Sequence, residues 1–263
     1  WSYSCLICHM INPSLKFDAL LLFIVIVKFS LFAPTAIAEE FSTTNMQLLY
    51  GSNFDDRYYG NNTTDGNMTT LTLEHFGVWS YGDNFFFVDL TSGDFVDFNG
   101  TVTGSSSHTY VEWAPRISLS KLAGNSLSAG IFRDYYLAAQ LNQDGLGFHA
   151  ELIGVGADLA IPNFNVASIN VYKRKDNFNQ ATWQVSGVWS VPLATYMSLD
   201  GFFDLNGTDN NGTEVSAQPQ LLYDISHLAG EPSGNVMLGV EWYFHKNNQM
   251  ISSVPQAMVK WVW

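Results

Sequence analysis

Cysteine occurs only at Cys5 and Cys8 in a chain of 263 residues, so no disulfide framework spans the bulk of the protein. Charge is scarce as well: Asp, Glu, Lys and Arg make up 13% of the sequence, against about 25% in a soluble domain, which excludes a charge-covered globule. A disordered chain is excluded from the other side by 8 Trp, 12 Tyr and 19 Phe. Basic residues are few, 11 against 24 acids for a net charge of -13. That sign is wrong for gripping a phosphate backbone, and no nucleic acid is expected as a partner. Long apolar runs are missing after Ala38, where nothing approaches the roughly 20 residues of a membrane-spanning helix.

The first forty residues differ from the rest. Ala19 to Val27 is an apolar run, Lys28 interrupts it, and Ala36-Ile37-Ala38 follows. The run is too short to span a bilayer, and its flanks predict a secretory signal peptide cleaved after Ala38, with Met10 as the start and residues 1–38 outside the working protein. Cys5-Leu6-Ile7-Cys8-His9 matches the c-type haem attachment pattern. It lies ahead of Met10, so haem is discounted and no cofactor is expected. Setting aside Lys16, Lys28 and Asp18 leaves 9 basic and 23 acidic residues from the 11 and 24 of the whole chain.

The remainder has period two. In His108 to Leu119 one parity carries Thr109, Val111, Trp113, Pro115, Ile117 and Leu119, and the other His108, Tyr110, Glu112, Ala114, Arg116 and Ser118. The same split sets Met197, Leu199, Phe203 and Leu205 against Tyr196, Ser198, Asp200, Phe202 and Asp204. It also sets Val236, Leu238, Val240, Trp242 and Phe244 against Met237, Gly239, Glu241, Tyr243 and His245. Such alternation marks strands with one apolar face, which a soluble sandwich shares.

Segment length separates the two architectures. Twelve strands are predicted, near 45–53, 67–79, 83–91, 107–119, 130–141, 145–159, 165–176, 181–191, 195–206, 215–226, 234–245 and 256–263. Most reach the roughly 9 to 11 residues with which a tilted strand crosses a bilayer. The first (54–66), third (92–106), ninth (207–214) and eleventh (246–255) connections read as long and polar, and the second (80–82), sixth (160–164) and eighth (192–194) as short. An outer-membrane barrel has this asymmetry, with periplasmic turns on one rim and external loops on the other. The ending Val259-Lys260-Trp261-Val262-Trp263 resembles the terminal-strand signal presented to the barrel-assembly machinery. Together these features predict an all-β chain: over residues 39–263, a single-chain transmembrane antiparallel β-barrel of about 12 strands. It is expected in the bacterial outer membrane among lipids, crossing many times, with both termini periplasmic.

At this point the sequence resembles the nucleoside-specific channel-forming family, Tsx and the related OmpK porins. Ala114-Pro115-Arg116-Ile117-Ser118-Leu119-Ser120-Lys121-Leu122 is similar to that family's Glu-Pro-Arg-Phe-Ser-Ile-Asp-Lys-Leu. Leu127-Ser128-Ala129-Gly130-Ile131-Phe132-Arg133-Asp134-Tyr135-Tyr136 is similar to its Leu-Ser-Phe-Gly-Pro-Phe-Lys-Glu-Trp-Tyr. Gly154-Val155-Gly156-Ala157-Asp158, Ile169-Asn170-Val171-Tyr172 and Tyr243-Phe244-His245 follow in family order. Ala114 replaces the family's Glu, and the ending Gln256-Ala257-Met258-Val259-Lys260-Trp261 is closer to the OmpK branch. The resemblance implies a narrow monomeric barrel that passes nucleosides. A general small-solute porin, or an adhesion or phage-receptor barrel of the OmpK type, is the competing implication, with a phage or toxin at the external loops.

Turning the polar parity inward gives the candidate lumen. Its substrate-binding residues are Phe76, Phe87, Tyr110, Glu112, Arg116, Phe132, Asp134, Tyr136, Phe202, Asp204, Glu241, Tyr243 and His245, with Glu74, Phe85, Asp89, Tyr172, Arg174, Tyr196, Asp200, Asp224 and Lys260 beside them. A nucleoside offers a base to stack on an aromatic, at about 1 to 3 kcal/mol, and ribose hydroxyls for carboxylates and amides. Excess acid discourages nucleotides and other anions. Arg116, next to Pro115, also fits a structural pair spanning the lumen. A barrel enzyme would need a Ser nucleophile with a His on the lipid-facing wall. Of His75, His108, His149, His227 and His245, His75 has outward parity, and its Thr and Gly neighbours on that face offer no serine. No enzyme and no metal site is expected. Lys173-Arg174-Lys175 is the one basic cluster, placed at the external rim beside anionic headgroups.

Overall fold

The computed structural model describes residues 40–263; the signal peptide, the start at Met10 and the cleavage after Ala38 lie outside the described residues. In chain order the strands are β1 Phe41–Gly51, β2 Met68–Trp79, β3 Gly82–Ser92 and β4 Ser107–Ser118, followed by a one-turn helix, α1 Leu119–Ala123. Then come β5 Phe132–Asp144, β6 His149–Leu159, β7 Val166–Asp176, β8 Thr182–Ala194 and β9 Met197–Gly207. β10 runs in two pieces, Thr213–Ala217 and Gln220–Asp224, and α2 Ser226–Ala229, β11 Val236–Lys246 and β12 Ile251–Val262 complete the order.

Sequence neighbours pair antiparallel throughout, and β1 pairs with both β2 and β12. The closing ladder runs from Asn45↔Val262 to Gly51↔Gln256, and Thr44 and Trp263 exchange backbone hydrogen bonds of 3.1 and 2.9 Å beyond it. The result is a closed barrel of twelve antiparallel staves, as the period-two reading predicts. Closure is what lipid demands, because an open edge would leave backbone donors and acceptors unsatisfied in hydrocarbon.

Side chains alternate across the wall as the pleat requires. On β1, Asn45, Gln47 and Leu49 are buried inside while Met46, Leu48 and Tyr50 are exposed outside. On β12, Val254, Gln256 and Met258 face in, and Val259 and Trp261 face out. The interior holds small packed groups in place of one core. Phe54, Met68, Phe95, Tyr243 and Val254 form one, and Ala138, Ala150, Leu152 and Tyr172 another. Glycine has a packing role where β6 meets β7: a Cβ on Gly154 would run into the Val171 carbonyl, so these strands meet at this distance only without a side chain there.

Three departures from the expected layout have physical causes. The eleventh connection is four residues, Asn247 to Met250, because Ile251 to Pro255 belong to β12. Pro255 fits there since the ladder to β1 stops at Gln256, leaving that side of Pro255 without a partner strand. The long and short connections do not sort cleanly by rim. On the rim of the tight turns, the fourth and tenth connections are long and carry α1 and α2. α1 is capped by Ser118, which accepts from the Lys121 amide, and closed by Gly124 at φ 67. Finally, β10 is interrupted at Gln218 and Pro219, yet Phe203↔Ala217 and Asp200↔Gln220 share one register, so the break is local.

Candidate functional site

The barrel encloses a cavity of about 560 Å³ lined by residues from all the staves. Toward the rim that carries both ends of the described chain, which we call the terminal rim, Arg116 of β4 is fully engaged. Its Nε donates to Asp83 Oδ1 at 2.8 Å and its Nη2 to Asp83 Oδ2 at 2.7 Å, a bidentate pair. Its Nη1 donates to Asp158 Oδ1 at 3.0 Å and Ser168 Oγ at 2.7 Å. The Tyr136 ring lies 4.0 Å from the guanidinium carbon, and the Tyr136 hydroxyl donates to Asp158 at 2.8 Å. Two carboxylates neutralise this arginine, so it offers no free charge to an anion.

The middle of the lumen is acidic and aromatic. Phe85 and Phe87 lie 6.0 Å apart along β3, and Tyr110 is 5.7 Å from Phe87. Glu74 accepts from Asn45 at 2.7 Å, and Glu112 from Tyr110 at 3.2 Å. Glu241 accepts from Gln220 at 2.7 Å and Gln256 at 3.0 Å, while Thr72 and Ser186 donate to Asp89 and Asp204. None of these five carboxylates has an ion pair among the described residues. Asn170 Oδ1, Asp200 Oδ1 and Gln256 Oε1 have no hydrogen-bond partner within the described protein, and all three residues line the cavity. The lumen thus presents acceptors with capacity to spare beside aromatic faces.

The opposite rim is narrowed from within by the first connection, which folds into the mouth. A two-residue ladder pairs Asp55 and Asp56 with Asn61 and Asn62. Asp56, 0% exposed, accepts from the Tyr243 hydroxyl at 2.6 Å and faces His245 Nδ1 at 2.6 Å. His245 Nε2 faces Glu214 at 3.3 Å, and the Tyr59 ring stacks on the imidazole at 3.8 Å. Tyr59 leaves 36% of its surface exposed, but its hydroxyl is enclosed and donates to Glu214 at 3.0 Å. That enclosure, then the Glu214 charge, pushes the phenol well above its ordinary pKa and keeps it a donor. Asn61 donates to the Tyr243 hydroxyl at 3.1 Å and lines the cavity. Beside this cluster Arg174 is held by Asp176 at 3.0 Å and Gln184 at 2.6 Å.

Of the residues expected in the lumen, Phe76, Phe87, Glu112, Arg116, Tyr136, Phe202, Asp204, Glu241 and Tyr243 line the cavity. Tyr110 stands behind that lining, bonded to Glu112 and to Asn142 at 2.8 Å. His245 points inward but is sealed beneath the first connection. Phe132 is a correction to the inward parity, whereas Asp134 keeps the parity of Tyr136 and stands in register with Asp158. A register shift ahead of Asp134 breaks the alternation at Phe132, and Arg133 lines the cavity there. Phe132 is exposed and stacks on Tyr135, while Asp134 accepts from Ser118 and from the Ser120 amide at the start of α1. Tyr196 sits exposed in a turn against Tyr223, and Asp224 is bound up by Ser226 and Ser233 at the terminal rim. Sequence parity missed Asp56, Tyr59 and Asn61, because nothing periodic marks a loop that folds inward. The amides Gln47, Gln220 and Gln256 also line the cavity; their parity is inward, but they carry neither the charge nor the ring that marks a candidate in sequence.

A family model described as nucleoside-specific channel-forming protein, Tsx, matches residues 50–250. Outer membrane protein OmpK of Vibrio parahaemolyticus serotype O3:K6 (strain RIMD 2210633) is 27% identical over 110 residues, covering 36% of this chain and 41% of that protein. An OmpK of Vibrio parahaemolyticus is 25% identical over 114 residues, covering 40% of this chain and 43% of that one. These matches span about two fifths of the relatives' own length. Among solved structures, the KdgM porin superposes with a TM-score of 0.48 at 7% identity, covering 83% of this chain and 98% of that one.

Proposed function

Because this chain belongs to the family of nucleoside-specific channel-forming proteins, Tsx, we propose that it is an outer-membrane channel whose lumen selects nucleosides for passive passage. The observation that carries this reading is the juxtaposition of the aromatic faces Phe76, Phe87 and Phe202 with carboxylates held by neutral donors, in one cavity of about 560 Å³. A base stacks on such a ring at about 1 to 3 kcal/mol. Ribose hydroxyls donate to Glu241, Asp204 and the unpartnered oxygens of Asn170 and Gln256. A phosphate finds less: Arg116 and Arg174 are each engaged by carboxylates, and the unpaired carboxylates of the lining (Glu74, Asp89, Glu112, Asp204 and Glu241) outnumber its unpaired cations, Arg133 and Lys260. On this reading both chain termini are periplasmic, and the rim narrowed by the first connection faces outward.

The test is single-channel conductance in planar bilayers. Added nucleoside is expected to block the small-ion current in a saturable way, while the corresponding 5′-nucleotide and free ribose block far less. A current indifferent to nucleosides at millimolar concentration defeats the assignment and leaves a general porin of this fold.

A further inference from the structure

The pleat of β7 splits the run Lys173-Arg174-Lys175. Arg174 turns inward onto Asp176 and Gln184, whereas Lys173 and Lys175 are exposed on the outer face, and neither side chain makes a hydrogen bond or ion pair among the described residues. Two unpaired cations on the lipid-facing wall of an acidic protein need an account. Their height supplies part of it: Lys175 is the next-to-last residue of β7 and Lys173 lies two before it. At about 3.3 Å per residue both side chains reach the headgroup level by extending toward the rim, where a lysine on the lipid face costs little.

Their neighbours complete a lipid-shaped surface. In register, Lys173 stands between Trp183 of β8 and Ile153 of β6, with both of these exposed, Ile153 at 70%. Val171, exposed one outward position below Lys173, extends the apolar floor away from the rim. Glu151 sits across from Lys175 without an ion pair, so the lysine charge is left for a ligand. Two ammonium groups thus stand above an aliphatic strip.

We propose that this stripe is a binding site for an anionic phosphate-bearing lipid, with Lys173 and Lys175 on the headgroup phosphate and Val171 and Ile153 under an acyl chain. The test is native mass spectrometry of the full-chain barrel in detergent with an equal mixture of phosphatidylglycerol and phosphatidylcholine of identical acyl chains. The wild-type protein retains phosphatidylglycerol preferentially, and inorganic phosphate at millimolar concentration does not displace it. Lys173→Gln with Lys175→Gln lowers that preference roughly 10- to 30-fold, about fivefold per lysine. Lys173→Arg with Lys175→Arg keeps it, and Lys246→Gln, which removes an exposed lysine at the same rim on β11, leaves it intact. Unchanged preference in the double glutamine variant, an equal loss in Lys246→Gln, or displacement by inorganic phosphate overturns the site. If the glutamine pair does not fold, Glu151→Gln decides: removing the facing acid raises phosphatidylglycerol retention, and no rise refutes the proposal.

Discussion

Replacing Asp56 by Ala should release the first connection from the mouth while leaving the barrel closed. Four hydrogen bonds converge on this one carboxylate. The Tyr58 and Tyr59 amides donate to Oδ1 at 3.1 Å each, the Tyr243 hydroxyl donates to Oδ2 at 2.6 Å, and His245 Nδ1 faces the same oxygen at 2.6 Å. Asp56 and His245 are both 0% exposed, so removal strands an imidazole and a phenol without their partner. Breaking one partner out of a buried pair costs about 3 to 5 kcal/mol. None of the barrel ladders contains Asp56, so that cost falls on the loop and not on the strands. A loss of about 4 kcal/mol raises the released population roughly a thousandfold. Small-ion conductance of the variant should rise, and trypsin should cut faster after Arg57, which sits next to the lost anchor. Tyr59→Phe removes only the bond to Glu214 at 3.0 Å and should give a milder version of both effects, at about 1 kcal/mol. Wild-type conductance together with wild-type cleavage in Asp56→Ala would refute the claim that this contact holds the mouth narrow.

Other outcomes follow from the same geometry. Arg116→Ala leaves Asp83 without its bidentate partner and should destabilise the barrel by about 3 to 5 kcal/mol, read as a lower urea midpoint of the heat-modifiable form; an unchanged midpoint would contradict the engaged-arginine reading. Deleting Trp263 removes both backbone hydrogen bonds to Thr44 and an outward aromatic, and should lower the yield of folded barrel in membranes, whereas full yield would show that closure does not need it. Phe202→Ala should weaken nucleoside block by about 1 to 3 kcal/mol, roughly 5- to 150-fold, with the outward Val240→Ala as the control that leaves block unchanged.

The staves were legible because each is a local pattern: period two fixes which residues share a face, and Gly, Asn and Asp clusters mark where the pattern stops. The misreadings sit where something nonlocal overrides that pattern. Pro255 reads as a loop residue from its sequence, and it fits a strand only because its partner on one side is missing, which depends on where β1 ends. Phe132 has inward parity by counting, but a one-residue shift ahead of Asp134 moves it off that face, and a bulge has no signature in hydrophobicity.

The candidate site divides along the same line. Phe76, Glu112 and Phe202 are found by counting from a neighbour on the same strand, and they line the cavity as counted. Asp56 is buried by His245 and Tyr243, 189 and 187 residues further along the chain, so no window of sequence contains the reason for its burial. Lys173-Arg174-Lys175 shows both halves of the argument in three residues. Alternation alone says that the middle residue opposes its neighbours, and β7 obeys. Which residue gains an acceptor then depends on Gln184, which β8 brings beside β7. A charge cluster on a strand therefore has to be divided by parity before it is read as a patch: its inward member serves the lumen, and only the outward pair is left to meet lipid.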